Sequence, residues 1–240
     1  MAGRIEESGY HIEDLKGAEK LCKEILELCP QRSSSRVEFL LSTCTTFRLL
    51  ATFDHPTNVK DPHATEYYLD EAVRYSKEAV QLSSATDNWD EWFEYAMCLA
   101  LRFKQSKKLS DRQTALDIYK ETLNSKEYGV HMQILAANWA ARTLFPDDVK
   151  TASCMFSQAV ELLPKAISRN ITQIEQQVIL SRAVRFASAA ATLKMQSNKK
   201  ASEAVRLLEV ERGVIAGLYI IERTESAHLE EVHMELAKKV

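Results

Sequence analysis

Residues 152–164 read ASCMFSQAVELLP, and three other stretches align with them on a first small residue: AEKLCKEILELCP from Ala18, AVRYSKEAVQLSS from Ala72 and ALDIYKETLNSKE from Ala115. Four residues on, three of them carry a bulky or sulfur-bearing side chain (Cys22, Tyr119, Phe156), with Ser76 in the other. Seven residues on stand Ile25, Ala79, Thr122 and Ala159. At about 3.6 residues per turn these three positions share one helix face. Small side chains at the first and third let a neighbouring helix come close, the second fills the gap, and proline twelve residues on (Pro30 and Pro164) is expected to stop the helix so that the chain can reverse. One helix face written four times predicts an all-α chain, a right-handed α-solenoid of antiparallel helix pairs stacked neighbour on neighbour.

Outward from these stretches, 3.6-residue periodicity predicts helices over 11–29, 34–53, 64–83, 87–105, 111–125, 129–144, 148–163, 171–196, 199–222 and 226–239. Start signals accompany several of them: Ser110 with Gln113 and Thr172 with Glu175 as capping boxes, Pro62 after Asp61, and Asp147 after Pro146. Within 87–105 the residues Trp89, Trp92, Phe93, Ala96, Leu99, Ala100 and Phe103 form a packing stripe.

Composition agrees and excludes other classes. The 240 residues hold 6 Gly and 5 Pro, where average usage would give roughly 29 together. That leaves few residues for the turns of a many-stranded β protein or for a phosphate-binding loop. A net charge of −3 argues against a nucleic-acid partner. The longest apolar run, Val214 to Ile221, is 8 residues, far short of the ~20 that span a bilayer. The acidic amino terminus shows no apolar signal core, so a cytoplasmic location is expected.

Five scattered cysteines (Cys22, Cys29, Cys44, Cys98, Cys154) without a CxxC are read as reduced, mostly buried thiols. His55 and His63, with Asp54 and Asp61, fit no compact zinc spacing, and His228 and His233 are five apart, so no metal and no cofactor is expected. The Walker, Gly-x-Ser-x-Gly and His-Glu-x-x-His patterns are all missing, and no enzyme activity is assigned to the chain. Gly213 and Gly217, one turn apart, are expected to admit a closely packed helix, that of residues 171–196 with Ala187, Ala190 and Ala191.

The fourfold helix face is similar to the second helix of a tetratricopeptide repeat. The helices before the last two copies resemble first helices through Tyr95-Ala96 with Leu99 and Leu135-Ala136 with Trp139. The copies begin 54, 43 and 37 residues apart rather than at the family's 34, which requires longer connections. From about residue 110 the chain further resembles fungal tetratricopeptide proteins that carry a CHAT domain, a caspase-like peptidase domain. The matching residues are Leu162-Leu163-Pro164, Ala187 to Ala191, Ala204 with Leu207-Leu208-Glu209, Arg212 to Gly217, Arg223-Thr224, and His233 with Glu235-Leu236-Ala237. Glu211 and Met234 depart from the family's usual Gly and Pro.

The resemblance implies tetratricopeptide-like repeats over 1–164 and a carboxyl-terminal helical segment over 165–240 leading to a downstream domain that would hold the family's catalytic residues. It implies a protein–protein interaction or regulatory module with a protein or peptide partner, a caspase-like domain among the candidates. Two alternatives stand beside it: the amino-terminal part of a caspase-like cysteine peptidase, and a self-associating scaffold through the helix of Gly213 to Ile221. The candidate partner groove is the face carrying Phe93, Met97, Leu101 and Arg102 in one helix and Gln133, Ala137, Ala141 and Arg142 in another. Burial of those residues against a later helix is the other reading of that face.

Overall fold

The computed structural model describes residues 12–31, 33, 35–52, 62–83, 89–166, 186–197 and 200–232, with side chains described up to residue 220. All regular structure among the described residues is helical: α1 (Ile12–Leu28), α2 (Arg36–Thr52), α3 (Pro62–Leu82), α4 (Trp89–Ser106), α5 (Leu109–Asn124), α6 (Val130–Leu144), α7 (Val149–Ala166), α8 (residues 186–196) and α9 (Ala201–Val232). The chain divides into two compact units, Met1–Ile118 and Tyr119–Val240, with the division falling inside α5.

In the first unit α2 packs against α1, α3 and α4, and α3 against α4. The buried face of α2, Leu40, Cys44, Phe47 and Ala51, follows a spacing of four, three and four, the spacing that keeps side chains on one stripe. Phe47 is fully buried and meets the rings of Tyr67, Tyr68 and Tyr75 of α3 at 6.3, 5.9 and 5.4 Å. Edge-on and tilted ring pairs of this kind add about 0.5–1.5 kcal/mol each beyond the area they bury. Arg36, buried at the start of α2, donates from Nη1 to the carbonyls of Leu26 and Cys29 at 3.0 and 2.9 Å. Its Nε and Nη2 reach Glu78 of α3 at 3.2 and 2.9 Å, so one side chain ties three helices.

In the second unit α6 packs against α7 and α7 against α9. The alanines Ala136, Ala137, Ala140 and Ala141 are buried on α6, which lets a partner helix approach closely. Ion pairs link α7 to α9 through Glu161 and Arg206, and α8 to α9 through Lys194 and Glu203.

The repeated small-residue face is buried in three of its four copies: Ala72, Ser76 and Ala79 in α3; Ala115, Tyr119 and Thr122 in α5; Ala152, Phe156 and Ala159 in α7. In α1 it is not. Leu15 and Leu26 point inward there while Ile25 is exposed, so the buried stripe of the first helix is rotated by about one residue.

Several local expectations are corrected. α9 runs unbroken from Ala201 to Val232 across the polar stretch Arg223-Thr224-Glu225-Ser226, which contains neither Gly nor Pro to interrupt it. Pro164 does not end α7, which continues to Ala166 with the proline in its last turn. α5 starts at Leu109, so Ser110 lies within it rather than capping it, and Gln113 bonds Asp117 instead. The cap of α7 is Asp148, whose Oδ1 accepts from the amide of Thr151 at 3.0 Å, satisfying one of the free donors of the first turn. Pro62 does open α3, where its missing N–H costs nothing. Gly213 is exposed, and a Cβ added at it or at Gly217 meets no described atom within 4 Å. The close approach expected there is not found, because Ala187, Ala190 and Ala191 are buried without these glycines facing them. Thr172, Glu175, His55 and His233 lie outside the described residues.

Candidate functional site

α6 carries Leu135, Asn138, Trp139 and Arg142 at i, i+3, i+4 and i+7, a spacing that puts them on one face. In the second unit this face borders a groove of about 280 Å³, completed by Phe156 of α7 and by Phe186 and Ala189 of α8. Phe156 and Phe186 are buried, whereas the Arg142 side chain is exposed, its guanidinium lying 5.9 Å from the centre of the Trp139 ring. A cation held over an aromatic face is attracted by the ring quadrupole, so Arg142 stays beside the indole. The result is a concave surface of mixed character, its aromatic and aliphatic walls joined by one amide, that of Asn138, and one positive charge on its border. This composition suits an extended or helical peptide segment bearing an apolar anchor and a carboxylate.

The eight residues of the candidate groove fall in both units and have different surroundings. In the first unit Phe93 is buried and Met97 and Leu101 are half-buried. Arg102 is engaged within the fold: Nε and Nη2 donate to Asp111 at 2.6 and 3.0 Å, and Nη1 to Asp70 at 2.9 Å. Burial opposes its charge, but the hydrogen bonds to these two carboxylates outweigh it and raise its pKa. In the second unit Ala137 and Ala141 are buried and Gln133 donates to the Ser125 carbonyl at 2.7 Å. Arg142 borders the groove just described. Trp139 and Phe156 stand at repeat positions and Ala189 in the Ala187 to Ala191 run, whereas nothing in the sequence singles out Phe186.

A second constellation, in the first unit, was not visible in the sequence. Cys44 of α2 and Cys98 of α4 are both fully buried, with their sulfurs 3.3 Å apart and neither in a disulfide. Glu94, one turn before Cys98, brings a carboxylate oxygen so that all three donor atoms lie within 4.8 Å of one another. Glu94 Oε1 accepts from Thr45 at 3.1 Å and from Arg48 at 3.0 Å; its Oε2 is buried and has no hydrogen-bond partner. The hydrogen bond shared with Cys44, burial and the nearby Glu94 charge push the Cys98 thiol well above its ordinary pKa. Burial opposes the charge of Arg48, but Glu94 and the two sulfurs prevail and hold its guanidinium protonated. A thiol this resistant to ionisation is a poor nucleophile. Of the remaining cysteines Cys154 is exposed and Cys22 and Cys29 are half-buried, fewer buried thiols than expected.

No helix among the described residues is long and apolar enough to cross a membrane. Compared with known proteins, the chain matches no family model, no curated protein and no solved structure.

Proposed function

We propose that the chain is a non-enzymatic helical-repeat interaction module of the cytoplasm, a right-handed solenoid of tetratricopeptide-like pairs that docks a protein or peptide segment in the groove between α6, α7 and α8. The observation that carries this reading is the half-buried Trp139 with the exposed Arg142 beside it, bordering a concavity lined by Phe156 and Phe186. Aromatic and arginine side chains beside a desolvated pocket are the usual carriers of binding energy. The buried small-residue faces of α3, α5 and α7 support the repeat architecture. The resemblance over about residues 110–240 supports a regulatory arm preceding a caspase-like domain, which makes such a domain one candidate occupant.

Selection of displayed peptides on the full chain, followed by fluorescence anisotropy, tests the docking. Peptides carrying an apolar anchor beside an acidic residue are expected, with binding weakened at least about tenfold, or about 1.4 kcal/mol, by Trp139→Ala and by Arg142→Ala. Selected peptides that bind both variants as tightly as the unmodified chain overturn the assignment of the groove. The resemblance also carries a second reading, the amino-terminal part of a caspase-like peptidase. Reading the gene beyond Val240 tests it: a His and a Cys in an α/β pattern supports that reading, and continued helical repeats oppose it.

A further inference from the structure

We propose that Cys44, Cys98 and Glu94 bind a thiophilic divalent cation of the zinc class between α2 and α4. The inference stands apart from the docking groove and rests on donor chemistry, distances and charge in the first unit.

Two thiols and a carboxylate converge within 4.8 Å. Sulfur donors select zinc-like ions over magnesium or calcium, which take oxygen. Three protein ligands are the number that leaves one coordination position for water or a further donor. The sulfurs are 3.3 Å apart, and two thiolates about 2.3 Å from one tetrahedral zinc ion stand about 3.8 Å apart, so the pair must open by only about half an ångström. Closing the same pair to a disulfide of about 2.05 Å requires more than twice that movement inside a packed core. The free Oε2 of Glu94 is an independent sign of a missing partner, since a buried carboxylate oxygen without a hydrogen bond is costly.

Charge points the same way. As the sulfur–metal bonds form, each thiol releases its proton to solvent, leaving two thiolates beside the Glu94 carboxylate. Those three negative charges are balanced by the two of the cation and the one of Arg48, the cationic side chain that pairs with Glu94. A buried cluster of zero net charge avoids most of the penalty of burying ions. Arg48 and Thr45, both bonded to Glu94 Oε1, act as outer partners that orient the carboxylate. The ion would cross-link residues 54 positions apart in sequence.

The test uses the full reduced chain, stripped with chelator and titrated with cobalt(II) as a spectroscopic probe. One cobalt ion per chain with a sulfur-to-cobalt charge-transfer band is expected, displaced by stoichiometric zinc. A Cys22→Ala/Cys29→Ala/Cys154→Ala variant should keep the band at full intensity. A Cys44→Ala/Cys98→Ala variant, shown to be folded by circular dichroism, should lose it. Glu94→Gln should weaken cobalt binding at least tenfold. If the band is missing from the unmodified chain, disappears in the triple variant or persists in the folded double variant, the proposal is overturned. A chain that instead yields a Cys44–Cys98 disulfide on mild oxidation and takes up no cobalt under reduction also overturns it.

Discussion

Replacing Arg36 by methionine keeps most of the aliphatic volume and deletes every donor, which makes the helix tie described above measurable. In the native fold the guanidinium makes four hydrogen bonds: two to the Leu26 and Cys29 carbonyls at the end of α1, two to Glu78. The last carbonyls of a helix have no intrahelical donor, and leaving two of them unpaired beside a buried methionine costs about 1 kcal/mol each. Loss of the Glu78 pair adds about 1 kcal/mol, a value discounted because the Glu78 side chain is 28% exposed and therefore partly screened. Arg36 is also the first residue of α2, where the dipole disfavours a cation, so its removal returns a few tenths of a kcal/mol. The net expectation is a loss of about 2.5–3 kcal/mol. Trp89 and Trp92 lie in the first unit and Trp139 in the second, so fluorescence-detected urea unfolding in a Trp139→Phe background reports the first unit alone. Arg36→Lys should recover only a minority of the loss, since one ammonium cannot serve both the carbonyls and Glu78. Combined with Glu78→Ala, Arg36→Met should show a coupling of about 1 kcal/mol. An Arg36→Met chain within about 0.5 kcal/mol of the unmodified one would refute the reasoning, because the α1 carbonyls would then be adequately solvated without the arginine.

Four further outcomes follow from single positions. Lys107, just past α4, holds a left-handed backbone at φ 59°, so Lys107→Gly should raise the unfolding free energy from denaturant melts by about 0.5–1 kcal/mol, less whatever its contact with the Phe103 ring contributes. Gly213→Ala, placed in open space on α9, should stabilise by about 1 kcal/mol in thermal melts of the second unit; a loss would mean that another helix closes on that face. Ala159, fully buried on α7, leaves no room for an indole, and Ala159→Trp should destabilise by about 1–3 kcal/mol in urea titration. Burial raises the pKa of Glu211, with Arg212 pulling it partly back. Such a carboxyl costs stability while ionised, so its cost is present at neutral pH and fades as pH falls through the raised folded value toward about 4.3. Glu211→Gln should remove that part of the stability–pH profile.

Much of the fold was legible because each helix buries a stripe that recurs every three to four residues, and such a stripe needs no tertiary knowledge to be seen. The α4 stripe is an example: Phe93, Ala96, Leu99, Ala100 and Phe103 are all buried, while Trp89 at its start is half-buried and Trp92 at its edge stands 39% exposed. Helix ends were less legible, since they depend on weak local competitions. A polar stretch does not by itself end a helix: Arg223 to Ser226 hold neither Gly nor Pro and cost α9 only propensity. Proline does not break α7 at Pro164, which sits inside the helix near its end. Gly213 and Gly217 mislead for a related reason: a small residue permits close approach without requiring it.

The two sites differ in legibility for a geometric reason. Trp139 and Arg142 share one helix face, so their pairing follows from sequence spacing, whereas Phe186 reaches the same groove from α8 and could be placed there only by the tertiary fold. The thiol cluster is harder still. Motif searching looks for ligands close in sequence, and Cys44 and Cys98 stand 54 residues apart. Even so, each helix carries half of the pattern in the same form: Cys44 with Arg48 on α2 and Glu94 with Cys98 on α4, each a thiol and a charge four residues apart. Four residues is one turn, so each pair shares a face. The charges are opposite, and each stands beside a cysteine in a helix with a strong apolar stripe. Ordinary amphipathic logic assigns Arg48 and Glu94 to solvent. That logic holds only for a helix with one buried side, and α2 packs against three neighbours. With α2 touching α4 as well as α1 and α3, the two charges become partners across the contact and carry their cysteines together. A charged residue one turn from a cysteine, matched by its opposite in a second helix, is therefore a sequence signal for a buried thiol pair once a helix is known to be enclosed on more than one side.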